Sequence, residues 1–245
     1  MTLYKGGQNI CGATIGVLCL ESHFPKPPGH IKNPSSLSFP VLYEMIDGIP
    51  VPDLLNNPTP DLLGPFLEGA KKLEREGVRA ITGSCGFLAL FQRELAAAVD
   101  IPVFASSLIQ VPLAFQMSGA SAPVGILTAD AAALTDAHFK AVGAGDIPIA
   151  VQGLEDSAEF AEVILKYQRT AMDTDLIEAE VMDAARKLMT QAPNIRSLVL
   201  ECTDLPPYAS RLQHELRLPV FDLTTLATMA HNVVSREEYV GNMPW

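Results

Sequence analysis

An internal repeat constrains the fold of this chain more strongly than any other feature of its sequence. Residues 78–104 align without a gap to residues 195–221, and both copies end in Pro-Val-Phe. Each copy has the pattern of an apolar strand, an amphipathic helix and a second strand, with a cysteine where the first strand ends. These cysteines are Cys85 and Cys202. The repeat predicts two related halves that each contribute one thiol at an equivalent position.

The repeat continues towards the N-terminus of each copy. Residues 13–21 (ATIGVLCLE) resemble residues 122–130 (APVGILTAD). Short apolar runs alternate with amphipathic stretches such as 60–76 and 173–191, which is typical of βαβ units. We therefore predict an α/β fold of two pseudo-symmetric, doubly wound lobes with mostly parallel sheets and an active site between the lobes. The predicted strands are Ala13–Leu20, Val78–Gly83, Ile101–Ala105, Val124–Thr128, Ile147–Gln152, Ser197–Leu200 and Pro219–Leu223.

The second copy of the upstream repeat sets the predicted boundary between the lobes. Residues 1–118 are expected to form the first lobe and residues 119–222 the second. Residues 223–245 are expected to pack back on the first lobe, as happens when helices cross between related halves.

One segment, Glu21–Pro40, has neither a helical nor a strand period and contains five of the nineteen prolines. It follows the first strand, so it leaves from the sheet edge at which doubly wound folds bind ligands. Lys26, His30 and Lys32 make it locally basic. Long loops of this kind are commonly functional lids, so we expect either an anion-binding lid or a solvated, dimer-contacting loop.

Composition limits the possible partners. The chain has 245 residues, a net charge of −11 and 18% charged residues, which argues against binding to nucleic acid or to anionic membrane surfaces. No apolar run reaches the roughly 18 residues of a membrane-spanning helix. Four cysteines without metal-type or CxxC spacing fit a reducing, cytoplasmic setting. The sequence contains no metal or cofactor motif, so we expect neither.

The two matched cysteines are the candidate catalytic residues. A thiol at the start of a helix experiences the positive end of the helix dipole, which favours the thiolate. The backbone N–H groups that follow each cysteine could bind a carboxylate and stabilise the charge that forms when its α-proton leaves. Two thiols on opposite faces of a small molecule could remove a proton from one side and return one from the other. Cys11 and Cys19 are expected to be structural.

The motifs GSCGF (83–87) and ECTDLPPYA (201–209) resemble the two cysteine motifs of the aspartate/glutamate racemase superfamily. That superfamily also contains hydantoin racemases, maleate isomerases and arylmalonate decarboxylases. The resemblance implies that Cys85 and Cys202 are the acid/base pair. It also implies a group of substrate-binding residues, which are Ser22, Ser84, Gly86, Phe87, Thr128, Thr203 and Asp204. Gly86-Phe87 depart from the Asn-Thr that amino-acid racemases place after the first cysteine.

The implied activity is cofactor-independent racemisation or epimerisation at the carbon α to a carboxylate, with an aspartate- or glutamate-like amino acid as substrate. Alternatives that use the same cysteines are hydantoin racemisation and maleate-type cis–trans isomerisation. A non-enzymatic alternative is a small-carboxylate-binding protein, and a Cys/His hydrolase would leave the second cysteine without a role. The resemblance also implies a homodimer or a higher homo-oligomer.

Overall fold

Two four-stranded parallel sheets form the framework of the protein in a computed structural model that describes residues 3, 6–56 and 59–243. The first sheet has the order β2-β1-β3-β4 and the second the order β6-β5-β7-β8, so the two sheets have equivalent topologies. This confirms the predicted α/β fold. The strands are β1 Ile15–Leu20, β2 Val41–Ile46, β3 Ala80–Gly83, β4 Val103–Phe104, β5 Val124–Thr128, β6 Ile149–Gly153, β7 Leu198–Leu200 and β8 Val220–Phe221.

Helices connect the strands and cover the sheets. The α-helices are α1 Val51–Asn56, α2 Leu63–Arg75, α3 Gln92–Ala97, α4 Val111–Met117, α5 Asp136–Ala141, α6 Ala158–Phe160, α7 Thr174–Gln191, α8 Ala209–Leu216 and α9 Leu223–Val234. Shorter 3-10 turns occupy Pro34–Ser36, Pro60–Leu62, Gly86–Phe91, Ser107–Gln110 and Pro206–Tyr208, and a π-helical turn occupies Ala161–Leu165. Helix α7 begins where the sequence predicted, because the Asp173 side chain accepts hydrogen bonds from the N–H groups of Asp175 and Leu176.

Strand β2 is the one element of the first sheet that the sequence did not predict. It pairs in parallel with β1 from Val41 to Ile46. Its residues are mostly half-buried, and Met45 is exposed. An edge strand of this kind lacks the continuous apolar run that identifies a fully buried strand. In contrast, β5 is buried along its whole length and has the predicted bounds.

The last helix lies against the first sheet although it follows the last strand of the second. Leu223, Leu226 and Ala227 of α9 pack in one cluster with Ile15 and Val17 of β1. This packing holds the two lobes together through the chain itself. Residues 244 and 245 of the predicted C-terminal segment lie outside the described residues, and the lobe boundaries at 118 and 222 stay predictions.

The segment 21–40 joins β1 to β2 and reaches across to the second lobe. Internal hydrogen bonds give it a defined shape; for example, the Ser36 hydroxyl donates to the carbonyl of His30 at 2.7 Å. Gly29 has a φ of +104°, and a Cβ atom placed there would lie 2.8 Å from the backbone of Pro207. The segment therefore closes over the junction between the lobes. We call it the lid.

We expect Gly29→Ala to destabilise the protein more than Gly48→Ala. Both glycines have positive φ, so an alanine at either costs about 1–2 kcal/mol of backbone strain. Only Gly29 faces the backbone of the other lobe, whereas nothing lies within 4 Å of a Cβ at Gly48. The difference in free energy of unfolding, measured in urea, isolates the contact between the lid and the second lobe. Equal losses in the two variants would contradict that contact.

Candidate active site

Both repeat cysteines line one cavity between the lobes. The two copies of the repeat contribute four residues each at matching positions, and the lid covers the opening. The cavity encloses about 40 Å³ of water-accessible space, which suits a small ligand. Its lining includes Ser84, Cys85, Gly86 and Phe87 from the first copy, Glu201, Cys202, Thr203 and Asp204 from the second, and Ser22, Phe24, His30 and Lys32 from the lid.

Hydrogen bonds across the junction fix the two cysteine segments relative to each other. The Thr203 hydroxyl donates to the backbone oxygen of Ser84 at 2.7 Å. The Ser107 hydroxyl donates to the backbone oxygen of Leu200 at 2.6 Å. The Ser84 hydroxyl accepts from the N–H of Leu20 at 3.0 Å. The hydroxyls of Ser84 and Thr203, expected to bind substrate, thus make structural hydrogen bonds at the edge of the cavity.

Cys85 follows β3 in an extended conformation and is buried. The backbone N–H of Phe87 forms a hydrogen bond to its sulphur, which favours the thiolate, and Lys32 acts in the same direction. Burial outweighs both, and the pKa of the Cys85 thiol is raised. The charges of Glu201 and, to a smaller extent, of Asp204 add to this rise.

Cys202 has a more acidic neighbourhood. Its sulphur lies 3.5 Å from Oδ2 of Asp204, in the geometry of a thiol that donates to a carboxylate. Burial first, then Asp204 and Glu201, raise the pKa of Cys202 well above its usual value. The protonated thiol form of Cys202 is therefore favoured.

These surroundings correct the expectation that a helix dipole activates the thiols. Cys85 precedes a short 3-10 helix, and the first α-helix after it starts only at Gln92. After Cys202 the corresponding α-helix starts at Ala209. The short 3-10 turns carry only a small dipole, while burial removes the water that would solvate a thiolate. Burial therefore favours the protonated thiol form of both cysteines.

The lid supplies positive charge to the cavity. Lys32 donates to the backbone oxygen of Leu20 at 2.8 Å and also to the Ser22 hydroxyl, so Ser22 lies beside the ammonium group. Burial lowers the pKa of Lys32. Burial, and then repulsion from Lys32, lowers the pKa of Lys26 to about 8. An anion in the cavity would compensate for the desolvation of both amines.

His30 connects the lid to the second cysteine motif. Its Nδ1 accepts from the backbone N–H of Lys32 at 2.9 Å, which assigns the proton of a neutral ring to Nε2. Nε2 lies 3.0 Å from Oδ1 of Asp204, and the imidazole is 2% exposed. Burial alone would raise the pKa of Asp204, but His30 and the two lid lysines hold it below the usual value. Asp204 is thus an ionised carboxylate that fastens the lid and accepts from Cys202.

The structure corrects the expectation for Thr128. This residue ends β5, but its side chain is fully buried and does not line the cavity. Its hydroxyl donates to Oε2 of Glu201 at 2.8 Å. Thr128 therefore positions a neighbouring side chain that does line the cavity.

Sequence reasoning missed two features of the site. Glu201 lines the cavity and occupies the position in the second copy that Ser84 occupies in the first, so the repeat itself contained the signal. Tyr167 also lines the cavity and stacks on Phe24 of the lid with ring centroids 5.9 Å apart. It has a left-handed φ of 51° after the π-helical turn, a local geometry with no sequence signature.

Within residues 3, 6–56 and 59–243, no cluster of three or more His, Cys, Asp or Glu side chains is arranged to hold a metal ion. Among the helices of the same residues, none has the length and apolar character needed to cross a membrane.

Comparison with solved structures identifies the fold. An arylmalonate decarboxylase superposes with a TM-score of 0.61 and 14% identity, over 92% of this chain and 94% of that one. A glutamate racemase from Bacillus anthracis superposes with a TM-score of 0.55 and 17% identity, over 91% and 83% of the two chains. At these identities the likeness concerns the fold alone.

The curated sequences that resemble this chain are named as lyases, unlike the decarboxylase and the racemase that share its fold. Dimethylsulfoniopropionate lyase 3 of Emiliania huxleyi is 30% identical in an alignment of 233 residues that covers 86% of this chain and 57% of the relative. The dimethylsulfoniopropionate lyase of Durusdinium sp. clade D is 27% identical over 221 residues, with 87% and 72% of the chains covered. This chain thus spans less than two thirds of the Emiliania huxleyi enzyme.

A family model for Asp/Glu/Hydantoin racemases matches residues 58–230, a stretch that contains both cysteine motifs and most of both lobes. The two parallel sheets, the cavity between them and this match all agree with the resemblance of the cysteine motifs. The chain belongs to the Asp/Glu/hydantoin racemase family.

Proposed function

We propose that this protein removes the proton α to the carboxylate of a small substrate, with Cys85 as the base. The observation that carries the proposal is the placement of two thiols from equivalent positions of a repeat in one cavity. A proton α to a carboxylate is a weak acid, so its removal requires a positioned base and stabilisation of the enolate charge. The cavity offers both.

The base is assigned from the surroundings of the two sulphurs. Each sulphur receives a backbone N–H, from Phe87 at Cys85 and from Asp204 at Cys202, but Cys85 also has the charge of Lys32 in favour of its thiolate. Cys202 instead donates towards the carboxylate of Asp204. Cys202 therefore suits the role of a thiol that donates a hydrogen bond or a proton.

Positive charge and backbone N–H groups suit the substrate carboxylate. Lys32 lies at the lid side of the cavity, and Gly86 and Phe87 follow the base directly. We propose that Lys32 and the backbone N–H of Gly86 bind the carboxylate and hold its α-carbon against the Cys85 sulphur, to which the N–H of Phe87 is already bonded. Ser22 orients Lys32 by hydrogen bonding.

For the rest of the substrate, the cavity favours a group that cannot donate hydrogen bonds. Both oxygens of Asp204 already have partners, His30 and Cys202. Aromatic rings from Phe24 and Tyr167 close the same space, and since the Lys26 ammonium lies 3.6 Å from the centroid of the Phe24 ring, a ligand cation would use the Tyr167 ring. Aromatic faces attract cations that lack N–H groups, such as a sulphonium, whereas an α-ammonium requires free acceptors.

We therefore propose β-elimination from a sulphonium carboxylate of the dimethylsulfoniopropionate type, the substrate named in the lyases that resemble this chain. The Cys85 thiolate takes the α-proton, the C–H electron pair forms the new C=C bond, and the C–S bond breaks. Dimethyl sulphide leaves as a neutral molecule and acrylate remains. The positive charge of the incoming sulphonium would also favour the Cys85 thiolate, which burial disfavours in the empty site.

Racemisation is the second candidate, and one observation favours it. Cys202 occupies the position of the repeat that corresponds to Cys85 and lines the same cavity. A thiol so placed could return a proton to the α-carbon of an aspartate- or glutamate-like amino acid or of a hydantoin. Double-bond isomerisation of maleate would use the same pair by addition of a thiolate.

The substitutions Cys85→Ser and Cys202→Ser separate these reactions. Loss of the base should lower elimination by about 10²–10⁴-fold. Because dimethyl sulphide leaves without a proton, Cys202→Ser should lower elimination less. In a two-base racemisation each variant should lose racemisation almost completely.

The assay measures dimethyl sulphide release from dimethylsulfoniopropionate and loss of chirality from D- and L-aspartate, glutamate and 5-substituted hydantoins, together with fumarate formation from maleate. The exposed Cys11 provides the control, since Cys11→Ser should leave every rate unchanged. Full activity in Cys85→Ser, or no reaction with any member of the panel, would contradict the proposal.

The reactivity of the thiols in the empty site gives a separate prediction. Burial and raised pKa values should make Cys85 and Cys202 slower to react with iodoacetamide near neutral pH than exposed Cys11. Raising the pH should speed the reaction of both buried cysteines. Mass spectrometry of the alkylated peptides measures the rates, and rapid labelling of Cys85 at neutral pH would show that its thiolate is already formed.

A further inference from the structure

Glu201 is a buried acid whose hydrogen bonds are incomplete. Its side chain lies in the cavity wall and the residue is 1% exposed. Oε2 accepts from the Thr128 hydroxyl at 2.8 Å. Oε1 is buried and has no hydrogen-bond partner within the described residues. A buried polar atom without a partner on a residue that lines a cavity calls for an explanation, and a hydrogen bond to a ligand atom provides one.

The position of Oε1 is fixed from two sides. Thr128 holds the other oxygen, and the carboxyl group packs against the backbone of Gly86. A Cβ atom at Gly86 would lie 2.2 Å from Oε1, so only glycine fits between Cys85 and this carboxyl group. Oε1 is therefore held beside the residue that follows the proposed base.

Burial and the acidic groups that face Glu201 favour its neutral form, and the hydrogen bond from Thr128 opposes them. Thr128 donates one hydrogen bond, and the titratable neighbours are Asp204 on the same segment and the two cysteines Cys85 and Cys202. No cation contributes to its titration. Burial, with repulsion from Asp204, raises the pKa of Glu201 to about 8. A neutral carboxylic acid has an O–H to donate, whereas a carboxylate can only accept.

We propose that Glu201 is a further catalytic residue, a carboxylic acid whose Oε1–H donates a hydrogen bond to the substrate carboxylate. This inference rests on the proposed function. When the Cys85 thiolate takes the α-proton, negative charge moves onto the carboxylate oxygens of the substrate. A neutral acid held beside them stabilises that charge more than it stabilises the ground state, because the acceptor becomes more basic. Glu201 would donate this hydrogen bond in elimination and in racemisation alike.

Two substitutions test the donor. Glu201→Leu removes it and should lower kcat by about 10²–10³-fold, the usual cost of one such donor, with a smaller change in KM. Glu201→Gln keeps a neutral group that can donate through its amide N–H and should retain more activity than Glu201→Leu. In the wild-type enzyme the donor is lost as the pH rises through about 8, and Glu201→Gln should remove that alkaline loss. Equal kcat in Glu201→Leu and the wild type would overturn the proposal.

Infrared spectroscopy tests the protonation state without any turnover. The wild-type protein should show a carboxylic acid C=O band at neutral pH that is absent in Glu201→Gln, and propionate should shift this band by accepting the hydrogen bond. Glu159→Gln is the matched control: this buried glutamate is paired with Arg169, so its replacement should leave the band unchanged. Absence of the band, or a band that propionate does not shift, would overturn the proposal. If no substrate turns over but the band behaves as expected, the proposed function is wrong, while Glu201 still donates a hydrogen bond to a bound carboxylate.

Discussion

The close contact between the two copies of the repeat, where the second copy packs against Gly86 of the first, determines the chemistry of this protein. Hydrogen bonds from Thr203 to Ser84 and from Ser107 to Leu200 fix this contact. The contact excludes water from both thiols. Burial then sets the protonation states of both thiols and of Glu201, because desolvation is the largest influence on their pKa values, whereas His30 and the lid lysines keep Asp204 ionised.

The lid supplies positive charge, which opposes the unfavourable effect of burial on anionic groups in the cavity. It brings Lys26 and Lys32 to the acidic end of the cavity, and His30 fastens it to Asp204. Lys32 lines the cavity with a lowered pKa, and Lys26 lies beside it on the lid with a pKa of about 8, so an anion in the cavity would be stabilised. The resting site is thus unfavourable for a thiolate but favourable for a carboxylate. Amino acids and sulphonium carboxylates both carry a carboxylate and a cation, and the proposed preference for a sulphonium rests on the occupied oxygens of Asp204 and on the aromatic rings.

The parts of the fold predicted from sequence are those with strong local patterns. The gapless repeat located both cysteines, and the continuous apolar run of β5 gave its bounds. Strand β2 was not predicted, because a half-buried edge strand lacks a continuous apolar run. The helix-dipole expectation for the thiols failed because the sequence does not distinguish a 3-10 turn from an α-helix after Cys85.

The charge states of the site depend on contacts that span the chain. Lys32 and Glu201 line the same cavity although they are far apart in the sequence. The protonation of Glu201 follows from its burial against Gly86. The basic character of the lid was visible in the sequence, but its partner Asp204 was not. Tyr167 could not be predicted, since its position follows from a π-helical turn and a left-handed backbone.

Release of tritium from the α-carbon tests the central claim most directly. Dimethylsulfoniopropionate and D- and L-aspartate, each labelled with tritium at Cα, would be incubated with the wild type and with Cys85→Ser, and the label in water measured. The account predicts that the wild type releases tritium from at least one of these carboxylates and that Cys85→Ser does not. Turnover with the label retained at Cα, or equal release by Cys85→Ser, would contradict proton abstraction by Cys85.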